Sequence, residues 1–102
     1  MANTFVNYTG AAVGTAPSTV YTVPAATTAV MIGMNVANVT ASQVTVDVQV
    51  AGVYLVKGVA IPAGASLSVL DGKIILESAD TAVVTSNTAA SVDVIISVLE
   101  QS

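Results

Sequence analysis

Residues 43–50 read Gln-Val-Thr-Val-Asp-Val-Gln-Val. Val44, Val46, Val48 and Val50 alternate with Gln43, Thr45, Asp47 and Gln49. Neighbouring side chains of a strand point to opposite faces, so this octet makes a strand with one buried face and one wet face. A one-residue slip in pairing would put four valines into water, which fixes the register. The same octet holds no catalytic group with a partner, so what it specifies is architecture.

Working outward, Ala51-Gly52 is a tight turn able to join the octet to a strand over Val53–Val59 as a hairpin. On the other side, the polar loop Asn38–Ser42 separates it from a strand over Thr27–Asn38. There Val30, Ile32, Met34 and Val36 form the expected apolar row. The opposite row, Ala29, Met31, Gly33, Asn35 and Ala37, is uncharged, which suggests that this face too meets a surface. Ser18–Val23 is a strand with Tyr21 and Val23 on one face, ended by Pro24, which lacks a ladder donor. Beyond the hairpin, Ile61-Pro62-Ala63-Gly64 is a break. Ser66–Leu70 and Lys73–Glu77 are short strands with Leu67, Val69, Ile74 and Leu76 inward, and Asp71-Gly72 between them is a hairpin signal. Thr81–Ser86 presents Ala82 and Val84. Ser91–Glu100 sets Val92, Val94, Ile96 and Val98 against a partly apolar row, as in a central strand.

No stretch shows the three-to-four-residue apolar spacing of an amphipathic helix. The pattern predicts an all-β chain: a single β-sandwich, jelly-roll or Ig-like, of about eight short antiparallel strands over residues 16–102. Residues 1–15 read as an N-terminal arm, with Phe5, Val6 and Tyr8 as its large apolar groups. Such an arm either reaches over a neighbour or lies as an edge strand on its own domain. Phe5 and Tyr8 are the candidate partner contacts. On the first reading, deleting Met1–Gly10 removes binding and leaves the fold intact.

Composition narrows the function. The chain has 102 residues, 54% hydrophobic and only 8% charged. An ordinary soluble domain carries about 25% charged residues, so this surface is built from Ser, Thr, Ala, Asn and Gln. A charge-poor surface associates unless it is covered. That points to life inside an assembly; the plainer reading is a β domain that is simply uncharged outside. The densest apolar stretch, 29–37, contains Gly33 and Asn35 and falls short of the ~20 residues of a spanning helix. One Phe and three Tyr are too few for the aromatic girdles of a membrane barrel. The opening Met-Ala-Asn-Thr-Phe lacks the basic and apolar runs of a signal peptide. Lys57 and Lys73 are the only cations, and the net charge is −4, which suits neither nucleic acid nor anionic lipid.

Chemistry is scarce. With no His and no Cys, a nucleophilic triad has no base and a metal site would be all oxygen. The acids are Asp47, Asp71, Glu77, Asp80, Asp93 and Glu100. Asp71, Glu77 and Asp80 could approach a calcium ion, but they lack the alternating ligands of a calcium loop, and turn-forming roles suit them better. Tyr8, Tyr21 and Tyr54 read as rings at the core edge with wet hydroxyls. The sequons at Asn7 and Asn38 read as chance matches. No enzyme activity and no cofactor are expected.

Several phrases carry a family likeness: Tyr21-Thr22-Val23-Pro24-Ala25, Tyr54-Leu55-Val56-Lys57, Ile61-Pro62-Ala63-Gly64-Ala65-Ser66, Val69-Leu70-Asp71-Gly72-Lys73-Ile74-Ile75-Leu76-Glu77, then Asp80 and Ser91-Val92-Asp93-Val94. Through them the segment from Val20 to Glu100 resembles a family of small virion proteins of tailed bacteriophages, common in phages of aquatic bacteria. The resemblance implies a β-sandwich subunit on the particle and carries over no functional residue. The expected function is a capsid decoration (cement) subunit, a homo-oligomer with a trimer as first choice, whose partner is the major capsid protein or another virion protein. The alternatives are a tail, baseplate or fibre-associated protein and, in another class, a carbohydrate-binding or adhesin domain.

Overall fold

The alternation at 43–50 folds as read. In the computed structural model, which describes residues 3–69 and 72–101, strand β4 (Val44–Val50) buries its four valines to 3% exposure or less. The turn that follows has φ 52° at Ala51 and 82° at Gly52. Two positive φ values in succession match the twist of the flanking strands. Val50 pairs with Val53, opening β5 (Val53–Ile61).

Seven further strands surround this hairpin: β1 (Asn3–Val13), β2 (Ser18–Thr22), β3 (Thr28–Asn38), β6 (Ser66–Ser68), β7 (Ile74–Leu76), β8 (Thr81–Ser86) and β9 (Val92–Gln101). The chain behaves as one long hairpin closed at Ala51-Gly52. β4 pairs with β5, β3 with β6 and β7, β2 with β8, and β1 with β9, all antiparallel. Successive pairs fall alternately in two sheets, ordered β1-β9-β3-β6 with β7 also on β3, and β2-β8-β4-β5. The result is an all-β sandwich. β6 and β7 are successive lengths of one edge, opposite Asn35–Ala37 and Ala29–Met31 of β3. Counted as one interrupted strand they make eight, wound as a jelly roll.

Three expectations need correcting. The leading segment is not a free arm: β1 pairs with β9 residue by residue from Asn3 to Gly10, so the sandwich has no boundary after Thr15. The edge-strand reading holds, because Val6 and Tyr8 have apolar area to bury and do so against the core. Secondly, among the described residues β6 and β7 do not pair with each other, since each pairs with β3 instead; the expected turn at Asp71-Gly72 includes Asp71, which lies outside the described residues. Thirdly, β3 changes parity. Ala29 and Met31 are buried, then Met34, Val36 and Asn38, while Ile32 is exposed. A register shift between Met31 and Gly33 inserts one extra residue against β9, and such a bulge exchanges inward and outward faces.

The core is the valine row of β4 facing Met31, Met34, Val36, Val94, Ile96 and Val98 of the larger sheet, all nearly or fully buried. Asn38, also buried, donates its amide to Ser42 and Ile61 carbonyls at 2.8 and 2.9 Å and accepts from Thr40 N–H at 2.9 Å. Its side chain holds the β3–β4 loop and offers no free amide for glycosylation.

Two acids serve as bulge caps. Gly58 in β5 has φ 63° and donates its N–H to the Asp47 carboxylate across the strand pair at 2.6 Å. Ala12 in β1 has φ 55° and donates to Asp93 at 2.9 Å. A bulged residue loses its ladder acceptor, and the carboxylate supplies one. Asp47→Ala should cost about 1 kcal/mol, and Gly58→Ala about 1–2 kcal/mol for the left-handed backbone alone. Urea unfolding of both variants measures this; wild-type midpoints for both would show that the cap contributes nothing.

Candidate functional site

The four strands of the larger sheet bring one row of side chains into line on its outer face. Phe5 of β1 is opposite Leu99 of β9, Leu99 is opposite Val30 of β3, and Val30 is opposite Ile75 of β7. These residues alternate with the core-facing ones, so all four point away from the sandwich. Phe5 is 75% exposed and Ile75 is 68% exposed, at the two ends of the row. The bulge adds Ile32 beside it, and Ile95 lies two residues further along the same face of β9; each is 42% exposed. Cross-strand neighbours sit about 5 Å apart, so the row is a continuous apolar ladder across the sheet. A depression of about 220 Å³ adjoins it, lined by Phe5, Asn7, Ile32 and Ser97 among others. A second, of about 290 Å³, lies further along this face between Thr9, Asn35, Asp93 and Ile95. Large apolar side chains gathered on one face make this the candidate interaction surface.

Of the two candidate contact residues, only Phe5 belongs to this face. Tyr8 sits three residues on and has the opposite parity. It turns inward, its ring centroid 4.4 Å from that of Tyr21. Both phenols donate to the same carboxylate oxygen of Glu100, Tyr8 at 2.9 Å and Tyr21 at 2.7 Å. Tyr21 belongs to the smaller sheet, whereas Tyr8 and Glu100 belong to the larger. The trio therefore clasps the two layers. The ladder itself was not legible as a site, because Leu99, Val30 and Ile75 come together only through pairing.

Burial first, and then the Glu100 carboxylate, push both phenols above the ordinary tyrosine range. The unfolded chain releases those protons near pH 10 while the folded chain retains them. The folded state thus binds more protons than the unfolded one, and stability falls as pH rises from there. Denaturant unfolding between pH 9 and about 11 should show that fall; Glu100→Gln should reduce its slope, and an equally steep fall in the variant would remove Glu100 as the cause.

Three further acids hold local structure. Asp47 and Asp93 cap bulges, and Asp80 accepts the Glu77 N–H at 2.9 Å within its turn. Among the described residues no three His, Cys, Asp or Glu side chains gather to hold a metal ion. Tyr54 is exposed near the β4–β5 turn, with the Lys57 ammonium 4.5 Å from its ring centroid. It lies on the opposite sheet from Phe5, so the two exposed rings form no common stacking platform. No helix among the described residues is long and apolar enough to cross a membrane. No protein-family model matches the chain, and no curated protein matches it significantly.

Proposed function

We propose that the chain is a structural subunit of a bacteriophage virion, a capsid decoration protein that acts without chemistry, as a homo-oligomer on the shell. The observation that carries this reading is the Phe5–Leu99–Val30–Ile75 ladder on the outer face of the larger sheet. The jelly roll alone would not choose it, since that fold hosts coats, lectins and enzymes alike. What supports it is the pairing of that fold with a charge-poor surface, an apolar face, and four acids, Asp47, Asp80, Asp93 and Glu100, committed to bulges, a turn and the tyrosine clasp.

The proposed partner is the major capsid protein or another virion protein. Apolar area removed from water is worth about 25 cal/mol per Å², much of which offsets the loss of freedom on association. A symmetric array of copies, each held weakly, then bridges neighbouring capsomers by multivalency. Cryo-electron microscopy of the purified particle, with protein quantification, tests the reading. Hundreds of copies on the shell support it. A few to a few tens move the protein to the tail or baseplate, and absence from the particle removes it from the virion.

A further inference from the structure

The four edges of the sandwich are not alike. An open edge strand is a template for another chain, and proteins blunt such edges with short strands, bulges, breaks and charge. β2 has five residues and a register shift between Thr19 and Tyr21. β5 has two shifts along its pairing with β4 and carries Lys57. The edge opposite β1 is broken into β6 and β7, three residues each. β1 is different: it keeps one register against β9 for eight consecutive residues, Asn3 to Gly10. Residues 3–13 contain no charge and no proline. No described strand pairs with its outer side, where alternate residues present unpaired N–H and C=O groups.

We propose that β1 is a self-association edge, and that its occupant is β1 of a second copy of this chain, antiparallel about a twofold axis. Self-complementarity selects the occupant. In an isologous antiparallel pair the residue on the axis meets its own copy and the others meet a different residue of the same strand; with no charge on residues 3–13, no register sets like charges together. A twofold at Phe5 sets Phe5 beside its twin, Asn3 opposite Asn7, and Thr4 opposite Val6. The apolar ladder, which ends at the sheet rim on its most exposed member, then continues unbroken into the second copy. Two larger sheets become one, with a doubled apolar face. An isologous edge contact closes at two copies, in place of the trimer expected of a capsid decoration subunit. The inference stands whether or not the protein belongs to a virion.

Sedimentation of the full-length chain tests it without any particle. The wild type should be a dimer. Phe5→Lys and Phe5→Asp, each changing a side chain that points into solvent, should weaken association about tenfold or more while circular dichroism shows the fold intact. Mixing the two variants should restore dimers, because lysine then meets aspartate across the pair. Should Phe5→Lys fail to fold, Asn3→Lys combined with Asn7→Lys, both at exposed positions, sets lysine against lysine twice across the pair and serves the same purpose. A monomeric wild type, a trimer, or variants that dimerise as well as wild type would overturn the proposal, as would a mixture that stays monomeric.

Discussion

Deleting Met1 to Gly10 should unfold the chain. From Asn3 onward those residues are paired to β9, the central strand of the larger sheet between β1 and β3. Their removal exposes one side of β9 and strips Val6 and Tyr8 from the core. It also takes one of the two phenols from Glu100. A half-buried valine and tyrosine are worth about 1–2 kcal/mol each, and a hydrogen bond to a carboxylate about 2 kcal/mol. With the β1–β9 ladder lost as well, the cost is about 5 kcal/mol or more, comparable with the whole stability of a small domain. Thermal unfolding followed by circular dichroism measures this. A truncated chain that melts cooperatively within a few degrees of the full one would restore the idea of a dispensable arm. In a truncation that unfolds, a binding defect says nothing about contacts, and point substitutions on exposed side chains are needed.

The difference between what the residues announce and what they conceal lies in the bulges. Periodicity reads correctly in the strands that carry no extra residue themselves, the bulges lying on their partners: all four valines of β4 are buried, as are Val92, Val94, Ile96 and Val98 of β9. The Ala51-Gly52 turn is likewise plain, because few residues tolerate two positive φ values in a row. β3 misleads because its bulge falls at Ile32, an apolar residue on an outer face that is itself apolar. Val30, Ile32, Met34 and Val36 thus look like one row although only the last two are buried. The expected pairing of β6 with β7 is absent among the described residues for a related reason. Local turn grammar says that two strands are near in sequence, not that they pair, and β3 offered each of them a longer partner. Phe5 and Tyr8 were grouped by size and proximity in the chain, whereas an odd spacing of three along an unbroken strand puts them on opposite faces.

Ile32→Asp combined with Ile75→Asp should abolish particle binding while leaving both the fold and self-association unchanged. Both side chains are exposed on the outer face, Ile75 on the rim furthest from β1. Replacement should cost the folded chain about 1 kcal/mol or less. Against a partner the effect is much larger, because each carboxylate would have to be buried without a counter-charge. A loss of a few kcal/mol per contact is multiplied over every copy that bridges two capsomers, so occupancy on the particle should fall to background rather than merely decline. Quantifying the variant on particles stripped of the wild-type protein and re-incubated measures this, with sedimentation of the same preparation as the control. Full occupancy by a folded double variant would remove the ladder as the docking face. Loss of occupancy accompanied by loss of the dimer would mean instead that the two surfaces are one. The rim and the face are separable because two strands, β9 and β3, lie between Ile75 and the free edge at β1, and only β1 takes part in both contacts.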